Sequence, residues 1–218
     1  ADLVKSYLYG NLEEDQKGQF VATWNEVETI ASGMGETLEN LFTYYEYYLL
    51  ASNPKRSLYE ELQNQFRNQR PNEVIWRFRK FVQIVDEIMS DNSNLINSFR
   101  YLPNQIFWKS ILATARSDGF NDFIGLCKEL RKVFYAYWIA GHTTAKVKPL
   151  SFNLIRWVKE KRQVNDIKTE LDKKMRDDHI YREFRDALNE DTYGSPWLKP
   201  LLALIEFEQT DESKIAFI

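Results

Sequence analysis

The sequence predicts an all-α fold, an irregular multi-helix bundle of roughly ten helices, read as one helical domain over residues 1–218. Three observations predict it. Apolar residues recur at spacings of three and four along almost the whole chain. Glycine and proline are scarce, 8 and 6 in 218 residues, whereas strand-rich folds need frequent turns. Alternating patterns are missing except in the terminal KIAFI, expected to be irregular or an unpaired strand. Hydrophobic residues at 44% and aromatics at 15% exclude a disordered chain.

The elements follow in order. Leu3, Val4, Tyr7 and Leu8 share a helical face from the first turn. Phe20, Trp24, Val27, Ile30 and Ala31 form a second stripe, and Gly33 and Gly35 mark the turn after it. Leu38, Leu41, Phe42, Tyr45, Tyr48 and Leu49 form a third, so TYYEYYLL is core packing before it is a base-stacking surface. Ser57 and Glu60 have capping-box spacing ahead of LYEELQNQF. Pro71 suits the first turn of a helix carrying Val74, Ile75, Phe78, Val82, Val85 and Met89.

NSNLINSFRYL reads as a short helix before Pro103, and NQIFWKSILATARS as a longer one stopped at Asp118-Gly119. FNDFIGLCKELRKVFYAYWIAG carries the longest stripe, with Gly141 as its C-terminal cap. HTTAKVKP, residues 142–149, is expected to be a loop. LSFNLIRWVKEK, NDIKTELDKKM and DHIYREFRDAL follow as helices, and Ser195-Pro196 is expected to open WLKPLLALIEFEQ.

Composition narrows the chemistry. One cysteine, Cys127, precludes an internal disulfide and fits a reducing cytoplasm; it lies on an apolar stripe and reads as a small core residue. No uncharged apolar run reaches the roughly 18 residues a membrane helix needs, so no membrane partner is expected. His142 is expected in a solvated loop. Asp177, Asp178 and His179 offer metal-friendly atoms, but successive helical residues point about 100° apart and do not converge on one ion. No catalytic, cofactor-binding or metal residue is therefore assigned.

Charge is uneven. Residues 1–62 carry 4 basic and 11 acidic side chains, residues 63–185 carry 23 and 14, and residues 186–218 carry 2 and 7. The basic middle is either the solvated face of long helices or a surface for double-stranded DNA. Arg70, Arg77, Arg79 and Lys80 around Trp76, with Arg156, Lys159, Lys161 and Arg162 near Trp157, are the DNA-contact candidates. Arg156 with Glu160 and Glu170 with Lys174 also have the spacing of ordinary surface pairs.

The two ends carry a resemblance. ADLVKSYLYGNL followed by TWNEVE resembles the segment after the N-terminal domain of GmrSD-type restriction endonucleases, through Leu3, Lys5, Tyr7, Leu8 and Trp24. FWKSILATA with FIGLCKELRKVFYAYWIAG resembles that family's paired helices, and LLALIEFEQTDESKIAFI its last helix before the nuclease. The resemblance implies a helical middle region between a ParB-like nucleotide-using domain and an HNH-type nuclease, directed at modified invader DNA in a bacterial or archaeal cytoplasm. It implies a nucleotide and a divalent metal for the longer protein, and the flanking domains of the same chain as partners. The abrupt apolar end is then expected to run on into the nuclease. The family's D-G-Q-Q-R and H-I-x-P motifs do not occur in these residues, so no catalytic residue is carried over. The alternative is a non-catalytic helical scaffold for protein–protein interaction.

Overall fold

Residues 1–142, 144–190 and 192–209 are described by this computed structural model, and among them there are twelve α-helices and no strand. In chain order these are α1 Asp2–Gly10, α2 Glu14–Gly33, α3 Leu38–Leu50, α4 Leu58–Phe66, α5 Pro71–Ser90 and α6 Asn94–Phe99. They continue with α7 Gln105–Ser117, α8 Phe123–Ile139, α9 Thr144–Lys159, α10 Val164–Asp177, α11 Ile180–Asn189 and α12 Leu198–Gln209. KIAFI lies outside the described residues. No described helix is long and apolar enough to cross a membrane.

Local chemistry sets the boundaries. The Ser57 hydroxyl accepts from the Glu60 amide while the Glu60 carboxylate accepts from the Ser57 amide, closing the capping box that starts α4. Pro71 occupies the first turn of α5, where its missing N–H costs nothing. Gly141 ends α8 in the left-handed region at φ 80°, and the amide of His142 reaches back to the Tyr137 carbonyl. Gly119, at φ 62°, closes α7 the same way.

The core is built around α7. It is buried on every side from Phe107 to Ala115, because α3, α5, α8 and α9 all pack on it. Three of its buried polar residues are satisfied locally or by one distant partner, while the Trp108 indole N–H and the Ser117 hydroxyl are buried without one. Ser110 and Thr114 donate back to the carbonyls of Ile106 and Ser110 at 2.6 and 2.7 Å, and the buried Lys109 ammonium binds the buried Glu36 carboxylate. Beside α7, α2 packs on α5, and the rings of Phe42 and Phe78 stack at 4.0 Å.

One expectation fails. Within HTTAKVKP, residues 144–149 are not a loop but the start of α9, with Pro149 inside the helix. The apolar stripe of α9 begins earlier than Leu150, since Val147 is buried with Leu150, Leu154 and Ile155. Pro149 stands in the second turn, so only one backbone bond near a helix end is lost. Lys146 is anchored as well, donating to the Asp178 carbonyl at 3.1 Å. Helix α12 starts at Leu198 rather than at Pro196, whose neighbour Trp197 is buried in the preceding turn.

Candidate nucleic-acid interface

The first basic cluster splits across α5. Glu73 lies between Arg70 and Arg77 on one face, 3.8 Å from the first and 3.5 Å from the second. Arg77 also donates to the Gln69 side-chain oxygen at 3.0 Å. Arg79 is on the opposite face and reaches Glu26 of α2 at 3.1 Å. Lys80 lies over the Trp76 ring, 3.7 Å from its centre.

The second cluster closes α9. Arg156 donates to Asn153 at 2.6 Å and lies 4.0 Å from Glu160, which also accepts from Arg162 at 2.7 Å. Lys161 ends the helix at φ 54° and, with Arg162, borders a small hollow facing Asp122. Lys159 leaves this group: it donates to the Tyr48 carbonyl at 2.7 Å and stands 4.3 Å over the Tyr48 ring. Burial there pushes its ammonium below the usual lysine range, an effect Asp118 opposes.

Five of the eight candidates, Arg70, Arg77, Arg79, Arg156 and Arg162, thus face carboxylates of this chain. The pairing of Arg156 with Glu160 is the one its spacing announces. Lys174 instead reaches Asp178, one turn further on, at 3.2 Å. Arg79 with Glu26 is a contact between helices that no local spacing reveals.

One residue of each cluster, Arg77 and Lys159, nonetheless comes near Tyr48. Its half-buried ring stacks on Phe81 of α5 at 5.3 Å and receives Lys159 of α9. Its hydroxyl donates to Asp118 at 3.1 Å, and burial pushes that hydroxyl's pKa up to about 12, so it stays a neutral donor. Next to Tyr48 a cleft of about 300 Å³ opens between α3, the end of α4, and α5. Tyr45, Phe66 and Phe81 make its buried floor, while exposed Arg77 and Lys80 stand on its rim. Gln69 and Ser117 complete that rim, and the Ser117 hydroxyl is buried without a partner.

Elsewhere the polar residues are bound into the fold. His142 pairs with Glu183 of α11 at 2.6 Å, rather than lying free in a loop. Asp178 accepts from Tyr137 at 2.7 Å and from Lys174. Cys127 is fully buried, and burial pushes its thiol up to about 12. Glu46, 3% exposed, has one carboxylate oxygen without a partner. Burial and neighbouring Glu61 push its pKa up to about 7 against the pull of Lys148. Among the described residues no three of His, Cys, Asp and Glu gather as metal ligands.

The chain matches no protein-family model, no curated protein and no solved structure.

Proposed function

We propose that this helical domain is the middle of a bacterial or archaeal restriction endonuclease directed at modified invader DNA. In that role it joins a nucleotide-using domain to an HNH-type nuclease and adds a weak, sequence-tolerant contact to the duplex. One observation supports the reading: two residues of the resemblance in the N-terminal segment, Lys5 and Trp24, touch each other. Lys5 of α1 lies 4.9 Å over the Trp24 ring of α2 and 3.4 Å from Glu28, beside buried Leu8. Lys5 and Trp24 of the resembling pattern thus meet between α1 and α2, while Leu3 of the same pattern is exposed.

Two experiments test it. In the complete reading frame, the D-G-Q-Q-R-type and H-I-x-P-type motifs are expected on either side of these residues; a frame with neither removes the restriction reading. The purified full-length protein is expected to cut modified plasmid DNA in the presence of a nucleotide triphosphate and a divalent metal. For the DNA contact, titration with duplex should show affinity falling by about one power of salt concentration per phosphate engaged. The internal pairing of five arginines keeps that number small. Absence of binding at low salt removes the contact.

A second reading, a protein-binding scaffold, is favoured by α12, where Leu202 is 57% and Ile205 45% exposed. It takes precedence if the flanking motifs are missing.

A further inference from the structure

We propose that the cleft beside Tyr48 is a binding site for one nucleotide, held by its planar base against the apolar wall of Tyr48, Leu49 and Ile84 and by its phosphate on Arg77 and Lys80. This inference rests on the cleft alone and not on the restriction reading.

Three features select the ligand. The first is size: about 300 Å³ is at the lower end of small-ligand pockets, so the cleft takes one compact molecule rather than an extended polymer surface. The second is the layering. Tyr45, Phe66 and Phe81 pack ring to ring beneath it, and half-buried Tyr48, Leu49 and Ile84 make its accessible apolar wall. A flat, weakly hydrated ring system gains by packing against that wall, with little demand on which base it is.

The third is charge. Arg77 and Lys80 line the cleft, and no carboxylate does. Arg77 spends its donors on neutral Gln69 at 3.0 Å and on exposed Glu73 at 3.5 Å, both contacts a phosphate replaces with a stronger charge-assisted one. Lys80 is parked on the exposed Trp76 ring and swings free at small cost. A purely apolar ligand would leave Arg77 and Lys80 unused, and inorganic phosphate would leave the apolar wall unused.

The same chemistry is presented by a free mononucleotide and by an unpaired nucleotide in a DNA strand. Isothermal titration of the protein with deoxyadenosine monophosphate, deoxyadenosine, inorganic phosphate and a short single-stranded oligonucleotide separates them. The monophosphate is expected to bind saturably, with the nucleoside and phosphate each at least about tenfold weaker. Arg77→Ala and Lys80→Ala, both at exposed positions, should each weaken it about fivefold or more. Ile84→Trp fills the cleft from α5 and should abolish binding; Leu49→Trp repeats the block from α3. An oligonucleotide binding more tightly than the monophosphate identifies an unpaired strand as the source, and equal affinity identifies the free nucleotide. No saturable binding of either overturns the site, as does phosphate binding as tightly as the nucleotide. Undiminished binding in a folded cleft-filling variant does so too. Plasmid cleavage by the full-length protein is a separate readout, so failure of one proposal leaves the other standing.

Discussion

The α2–α3–α5–α7 region and the α10–α11 flank that packs on α8 are held in place by different forces. In the first, α2 buries Phe20, Trp24, Val27 and Ala31 and α5 buries seven apolar residues. In the second, α10 buries only Ile167, Leu171 and Met175, and α11 only Ile180. What α10 and α11 lack in apolar burial they make up in polar links. Lys132 reaches Asp172 at 3.0 Å, Tyr181 donates to Asp172 at 2.8 Å, and Tyr137 donates to Asp178 at 2.7 Å. Burial is nearly blind to salt and mild acid, whereas such links are not. The first region should behave as the rigid frame, and the second as the part that responds to solution conditions.

The largest expected effect breaks the frame. Phe42→Ala deletes a ring stacked on Phe78 and packed against Trp24, and should cost about 3–5 kcal/mol. Urea unfolding should show a lower midpoint with an unchanged slope; a loss below about 1 kcal/mol would mean the frame is not built on this stack. Next comes the one buried ion pair of the frame. Lys109→Ala leaves the Glu36 carboxylate buried against Tyr44, and should cost about 3 kcal/mol. Lys109→Met combined with Glu36→Gln removes both charges and should recover most of it. No recovery would show that the pair matters for more than charge.

The frame was legible in the sequence to the extent that its helices are amphipathic. The stripe of α2 and most of that of α5 fall at the expected residues because each has one dry face and one wet one, whereas α3 buries Tyr44 through Tyr47 and α8 Val133 through Tyr137 without a break. Helix α7 reads as one more such helix, yet it is buried all round. Its Lys109 is neutralised by Glu36, 73 positions away in sequence, and Ser110 and Thr114 by their own backbone. The first turns of α9 were hidden by Lys146, Lys148 and Pro149, which look like loop and are tolerated near a helix end. The basic residues were visible as a composition but not as a surface. Their outcome depends on Glu26 and Gln69 and on which side of α5 each faces, and the cleft needs Tyr48, Arg77 and Ser117 from three separate helices.

Glu46 sharpens the comparison from inside the frame, where burial outweighs the pull of Lys148 on its carboxylate. Its folded pKa is raised from 4.5 to about 7, so the neutral form is the one the fold favours. Its contribution is full below pH 4.5 and is lost as pH rises through about 7. Wild-type stability should therefore decline between pH 5 and pH 8, and Glu46→Gln should flatten that decline, gaining on the order of 2 kcal/mol at pH 8. Parallel urea curves at the two pH values decide it. Equal slopes with pH in both proteins would mean that Glu46 is ionised without penalty.

The smallest effect belongs to the polar-linked region and has the opposite sign in pH. The Tyr181 hydroxyl, followed by Lys132, holds the Asp172 carboxyl below its ordinary 3.8. Against the cost of its own burial, Asp178 is likewise held low by Tyr137 and Lys174. Depressed carboxylates contribute stability above the ordinary value and lose it as pH falls through the folded one, so α10 and α11 should loosen below about pH 4. Tyr181 is 40% exposed, so solvent screens the Asp172 link, and Tyr181→Phe should cost well under about 1 kcal/mol globally. Global unfolding is therefore the wrong readout. Native-state hydrogen exchange at neutral pH should show α11 amides in Tyr181→Phe exchanging about two- to fivefold faster, with α5 amides unchanged. With a single buried side chain, Ile180, α11 is free to open locally once a polar link is gone. If α5 and α11 accelerate together, the two regions open as one unit, and the division between a dry frame and a polar-linked flank does not exist.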